Sequence, residues 1–309
     1  MDGDGAFAIL IAWSRAMTSP RVARLYVLAA AVLFSTGGAA IKASAFTGWQ
    51  VACFRSAVAA AAILLFVPPA RRHWNLRVVL VGLVYASTMI LFVLATKDTT
   101  AANAIFLQAT APLYLLSIGP WLLHEPLRPR DLVCAVVIAA GMALFFSGDQ
   151  APSHTAPNPL RGNILGAFSG LSWAATVAGL RWLSRKSGGG ASGIATVAAG
   201  NTVAFLLCLG PAAQVAPVRS VDLAVILYLG VFQIGLAYVF LTAAVRQVQA
   251  VETSLLLLLE PVLNPVWAAI LHGERPGMPA VLGGALVVLA TLGSLVLGRT
   301  GQAPRNSAG

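Results

Sequence analysis

Charge is what this chain has least of. Only 10% of its residues are charged, and just ten are acidic, whereas a soluble domain carries about 25%. Apolar residues make up 58% and the mean hydropathy is +0.83, so there is too little polar surface to face water. A soluble globular protein is excluded. Cysteine is nearly as scarce. Cys53, Cys134 and Cys208 fall inside apolar runs, with neither metal-ligand spacing nor a pairing pattern, and read as small apolar fillers. No metal site is expected. The four histidines, His73, His124, His154 and His272, lie in loops or at the ends of apolar runs. His-Glu-x-x-His, Gly-x-Ser-x-Gly and Gly-x-Gly-Asp are all missing, and Gly148-Asp149 lacks the preceding glycine. An intramembrane enzyme is therefore a remote reading, and no catalytic residue is assigned. A phosphate-binding Gly-x4-Gly-Lys-Ser/Thr loop is missing too, which removes ATP as a drive and implies no cofactor.

What the chain does have is apolar length. Runs near 25–45, 50–68, 77–96, 101–122, 132–148, 162–183, 193–213, 222–242, 252–271 and 279–298 each approach the roughly 20 residues needed to cross a bilayer. The reading is an all-α integral membrane protein with ten transmembrane helices. One long polar stretch, Gly148–Arg161, is rich in Pro, Ser, Thr and Asn and divides the runs five and five. The expected organisation is an interfacial N-terminal segment over 1–24 and a five-helix unit over 25–148. A linker over 149–161, a second unit over 162–298 and a tail over 299–309 complete it. The stretch Ala6–Trp13 is too short for a span, and Asp2 and Asp4 stand where a signal peptide needs positive charge.

The two units echo each other at an offset of 149 residues. Ala111-Pro112 is followed thirteen residues later by Glu125, and Glu260-Pro261 thirteen residues later by Glu274. Lys97 matches Arg246, and Ala101 matches Ala250. Each unit holds an odd number of spans, so two in series enter the membrane in opposite orientations, as in many secondary transporters. The basic residues agree with this. With the N-terminus inside, fourteen Lys and Arg fall in inner segments and four in outer loops. Both termini are then cytoplasmic, and the +10 net charge is orientation rather than a nucleic-acid footprint. Trp49, Trp74, Trp121 and Trp182 stand at span ends, as aromatic belts require. Small-residue faces such as Gly166-Ala-Phe-Ser-Gly170, Gly141 and Gly283-Gly284 suit close helix packing.

Charges inside spans are costly and mark functional candidates. Glu260 is the clearest, near mid-membrane beside Pro261, where the missing N–H is expected to kink or open the helix. It is a candidate to bind an ammonium group or a proton; fixing a bend is the other reading. Lys42 and Arg55 lie near the outer ends of their spans, long enough to snorkel outward or to make the outer mouth of a cavity positive. Glu252 is expected to be wet rather than coupled. Glu125 and Glu274 suit helix–loop junctions, where a carboxylate accepts N–H bonds at the start of the next helix. Among uncharged residues at mid-span, Tyr85, Gln108, Trp173, Asn201, Gln233 and Tyr238 are candidates to line a solute pocket, amides orienting and rings packing.

These residues carry a resemblance. Leu259-Glu260-Pro261-Val262, then Leu271-His-Gly-Glu274, resembles the second repeat of the EamA family within the drug/metabolite transporter superfamily. Ala111-Pro112-Leu113 with Leu123-His124-Glu125, Phe34-Ser-Thr-Gly-Gly-Ala-Ala-Ile-Lys42 and Arg55 resemble the first. The resemblance implies a secondary-active or facilitative exporter of small metabolites working by alternating access. Amino acids are the favoured solutes, aromatic or hydrophobic ones first; cationic drugs and nucleosides are the alternatives within the superfamily. It places the third and sixth spans, with Tyr85 and Trp173, around the central cavity. The implied partners are a small solute, protons where transport is coupled, and membrane lipid, with no nucleic acid. A monomer in the inner (plasma) membrane is the expected state, and a channel is the remaining remote reading.

Overall fold

In hydrocarbon every backbone polar group must find its partner within its own segment, and only helices or closed barrels do that. The chain takes the helical solution. The computed structural model describes residues 20–118, 120–121, 129–148, 151–187, 191–213, 218–244, 247–248 and 250–300, and no strand occurs among them. Residues 1–19 of the N-terminal segment expected over 1–24, and Glu125, lie outside the described residues, and the helix of the first span already begins at Pro20.

Ten helical spans follow in order. The first runs Pro20–Ser35 and Gly37–Ala43, the second Gly48–Phe66 and the third Leu76–Asp98. The fourth is split into Ala101–Gln108 and Ala111–Ile118, and the fifth is Pro129–Ser147. The sixth is Pro159–Ser187 and the seventh Ala191–Ala212. The eighth runs Ser220–Leu227, continues through a π-helical stretch Tyr228–Leu236 and ends as Ala237–Ala244. The ninth is split into Ala250–Leu257 and Leu259–His272, and the tenth is Met278–Thr300. Among the described residues, six of these are long and apolar enough to cross a membrane.

The splits have one cause. Pro112 and Pro261 lack the N–H that would bond the carbonyl four residues back and clash with that carbonyl. The helical halves end at Gln108 and Leu257, in each case four residues before the proline. In the fourth span the break tightens into a turn, with Ala109 N donating to Ile105 O at 2.8 Å and Leu113 N to Thr110 O at 2.9 Å. The kink expected at Pro261 is there, and its twin at Pro112 obeys the same 149-residue offset.

Packing closes eight spans into a ring, in the order first, ninth, fourth, sixth, third, seventh, second, eighth and back to the first. The fifth and tenth spans pair with each other outside it, against the fourth and ninth. Glycine sets that pairing. A Cβ on Gly141 would lie 2.9 Å from the Gly283 carbonyl, and one on Gly283 2.6 Å from the Gly141 carbonyl, so the two backbones touch as small-residue faces allow. Spans consecutive in the sequence run in opposite directions, so one end of the ring holds Pro20 and Thr300 and the other holds the linker and Lys42, Asp98 and Glu274. We call these the terminal end and the linker end. The first repeat begins at the terminal end and the second at the linker end, which makes the repeats inverted.

The ring is not equally closed at its two ends. At the linker end, Leu259–His272 and the tenth span both pack on Ala101–Gln108. At the terminal end, Ala111–Ile118 packs on the fifth and sixth spans, without comparable packing on Ala250–Leu257 among the described residues.

Gly283→Val is expected to destabilise the protein by about 1–3 kcal/mol through overpacking, read as a lower unfolding temperature in detergent. Gly210→Ala, where nothing lies within 4 Å of the added carbon, is expected to stay within about 0.5 kcal/mol.

Candidate functional site

The ring encloses a cavity of about 350 Å³, at the small end of the roughly 300–1,000 Å³ typical of small-molecule sites. Both proline breaks face it. Gln108, Ala109, Ala111 and Pro112 line it from the fourth span, and Leu257, Leu258, Glu260 and Pro261 line it from the ninth. Thus the helices broken by proline border a cavity at their breaks, the arrangement a bilayer tolerates.

Its walls are largely apolar and aromatic, with Phe34, Phe92, Trp173 and Tyr238 among them. Phe34 and Tyr238 meet edge to face, with ring centroids 5.1 Å apart. Into this lining project a few polar groups. The Arg55 side chain is 1% exposed; Nη2 donates to Met89 O at 3.1 Å, and Nε has no acceptor. Glu260 stands in the first turn of Leu259–His272, where the unpaired amides and the positive end of the helix dipole favour a carboxylate. No ion pair joins Arg55 and Glu260 to each other, or either of them to another described residue. The Gln233 amide donates to Phe34 O at 3.4 Å, and its Oε1 is buried without a donor. Gln233 belongs to the π-helical stretch, a feature often found at functional sites. Gln108 Nε2 donates to Ser169 Oγ of the sixth span at 2.8 Å.

Of the residues expected to line a pocket, Gln108, Trp173, Gln233, Tyr238 and Glu260 do so together. Tyr85 and Asn201 do not. Both are buried between the third and seventh spans, where Asn201 Nδ2 donates to Tyr85 Oη at 3.4 Å. Tyr85 reaches the cavity only indirectly, its ring 5.9 Å from that of Tyr238. Counting positions along a span gives depth but not facing, and these two face a neighbouring helix.

The positive outer mouth expected of Lys42 and Arg55 is corrected. Arg55 turns inward to the cavity, where Nη2 donates to Met89 O of the third span. Lys42 is buried at the linker end, its Nζ 2.9 Å from Glu274 Oε1, with side-chain exposures of 4% and 2%. The same ammonium donates to Thr99 O at 2.8 Å and to Thr155 O. Glu274 does bond a helix start, but not that of the helix following it: Oε2 accepts from Ala101 N at 2.9 Å, at the head of the fourth span. Asp222 holds the neighbouring corner, accepting from Ala45 N at 2.7 Å and from Arg219 Nε at 2.9 Å. Glu252, expected to be wet rather than coupled, pairs with Arg24 at 2.6 Å at the terminal end, with side-chain exposures of 26% and 49%. Sequence reasoning missed Phe34, Met89 and Phe92 as lining residues, since an apolar residue in an apolar span carries no mark of its facing.

An inverted ten-span bundle with a central, sparsely polar cavity is the architecture of a membrane carrier of small solutes. The profile of the EamA-like transporter family matches residues 21–147 and again 160–296. The chain belongs to that family. Among solved structures, one crystal structure aligns with a TM-score of 0.60 at 21% identity, over 92% of this chain and 100% of its own, a likeness of fold alone. A comparison with curated proteins gives no match.

Tyr85→Phe is expected to cost about 1 kcal/mol of stability and to leave the KM for solute within twofold or so. Trp173→Ala is expected to raise KM by roughly tenfold or more through lost ring contact. Melting curves and flux kinetics on the two variants check this split.

Proposed function

We propose that the protein is an alternating-access exporter of amino acids, aromatic and hydrophobic ones favoured. One observation carries the reading: a buried guanidinium and a carboxylate line the same apolar cavity, and neither has an ion partner among the described residues. Burying an unpaired charge costs several kcal/mol, and a zwitterion supplies the missing partner of each. Its carboxylate takes the free donors of Arg55, its ammonium takes Glu260, and its side chain packs among Phe34, Phe92, Trp173 and Tyr238. A cationic drug makes no use of Arg55, and a nucleoside leaves both charges uncompensated.

Between solutes, a proton is the cation that neutralises Glu260 at least cost. Solute and proton then compete for one carboxylate, which couples export to an inward proton gradient. In this reading the terminal end is cytoplasmic, in keeping with the fourteen-to-four distribution of Lys and Arg, and the host membrane is the inner (plasma) membrane. The cavity then loads from the cytoplasm at the terminal end, where the described residues of the fourth and ninth spans pack least on each other. A single chain encloses the whole cavity, so the working unit is a monomer.

Reconstitution into liposomes tests this with amino acids, the corresponding decarboxylated amines, a nucleoside and a cationic drug. Saturable flux of aromatic amino acids is expected. Arg55→Met is expected to raise KM ten- to a hundredfold, the equivalent of about 1.5–3 kcal/mol for hydrogen bonds to a charged group. Glu260→Gln is expected to abolish proton-driven accumulation. Equal flux of the decarboxylated amine, or flux of cation or nucleoside alone, overturns the zwitterion reading.

A further inference from the structure

We infer that Lys42, Glu274 and the Ala101 amide form the latch that shuts the cavity at the linker end and must part once in each transport cycle. The inference rests on alternating access but not on the identity of the solute. The pair lines no part of the cavity, so solute binding does not account for it. It stands instead where the ring is closed. Leu259–His272 packs on Ala101–Gln108 there, and opening a path to that end requires these two segments to separate.

Glu274 is the residue that holds them. It follows the ninth span in the second repeat, and both of its partners belong to the first. Oε1 faces Lys42 at the close of the first span, and Oε2 accepts the N–H of Ala101 at the head of the fourth. Lys42 adds the carbonyls of Thr99 and Thr155, so one ammonium and one carboxylate tie the first span, the fourth span, the linker and the ninth–tenth loop. His272, two residues before Glu274, reinforces the seam through a ring nitrogen 2.7 Å from Ala39 O. The corresponding contact at the terminal end, Arg24 with Glu252, is partly exposed and therefore weaker. Among the described residues, the closely packed end carries the buried pair and the other end carries the partly exposed one.

An ion pair suits this task better than an apolar plug. Its Coulomb attraction in the closed state is nearly offset by the hydration its charges regain when parted, so the paired and parted states are close in free energy. Apolar contacts have no such compensation, since exposing them to water is a net loss.

The test reads accessibility, not flux. Full-length protein carrying Cys53→Ala, Cys134→Ala and Cys208→Ala, with Ile105→Cys as a reporter on the cavity wall, is labelled with an impermeant maleimide. Right-side-out and inside-out vesicles present the two faces in turn. In the parent, labelling from the terminal face is expected to exceed that from the linker face at least tenfold. Glu274→Gln keeps an acceptor for Ala101 but loses the charge, and Lys42→Gln loses the cation. Each is expected to raise linker-face labelling at least tenfold and to lower terminal-face labelling. The reversed pair Lys42→Glu with Glu274→Lys restores the charge attraction but not the bonds to the Ala101 amide and the Thr99 and Thr155 carbonyls, and is expected to recover only part of the parental ratio. Unchanged labelling, or an equal rise from both faces, overturns the latch; the equal rise marks a merely structural role. Should the glutamine variants fail to accumulate, Lys42→Cys with Glu274→Cys, bridged by a reducible bifunctional thiol reagent, gives a second reading. Flux should stop on bridging and return on reduction, and flux undiminished by the bridge overturns the proposal. Failure of every amino acid to move, with the labelling pattern intact, counts against the solute assignment alone.

Discussion

A hydrocarbon environment offers no partner to a backbone amide or carbonyl, and the whole arrangement follows from where this chain breaks that rule. Pro112 and Pro261 each interrupt a helix at mid-membrane, four residues after Gln108 and Leu257. Irregular backbone is tolerated at that depth only where protein or a cavity receives it. The two breaks therefore have to face the interior of the ring, from adjacent spans, rather than face lipid. Gln108 and Glu260, beside them, are carried onto the cavity wall. The scaffold does this twice, by inverted symmetry, but only one break carries a charge: Glu260 has Ala111 as its counterpart.

The remaining intramembrane charges divide by what neutralises them. At the linker end they are satisfied inside the protein: Lys42 by Glu274 and two carbonyls, Asp222 by Arg219 and the Ala45 amide. In the cavity they are not. Arg55 holds a single carbonyl and a thioether, and no described side chain donates to Glu260. Completed pairs make rigid seams, whereas incomplete ones await a ligand, because a desolvated charge keeps its full cost until something compensates it. The same chemistry thus gives a closed end and a receptive centre within one bundle.

Much of this was legible in the residues. The ten runs, the linker and the inversion follow from apolar length, odd repeat count and the 149-residue echo, because a bilayer enforces one period and one thickness on every span. The kink at Pro261 followed from a missing N–H, and five of the seven expected lining residues do border the cavity. Tyr85 and Asn201 failed for one reason: they share the depth of the cavity but turn toward each other, and a span rich in Ala, Val and Leu has no polar face to reveal its rotation. Arg55 and Lys42 illustrate the same limit. Their positions near span ends suggested snorkelling, yet one turns inward and the other meets a carboxylate 232 residues away in sequence.

What the sequence determined by itself was the class of environment, the number and direction of the spans, and the breaks, because these depend on local chemistry repeated along the chain. Only the tertiary structure decided which face each helix turns inward. With that it decided that Arg55 shares a cavity with Glu260, that Glu274 caps the fourth span rather than the tenth, and that one end of the ring is shut. Each of those facts joins residues from different repeats. Their meeting is set by helix rotation and packing, for which an apolar span carries almost no local signal.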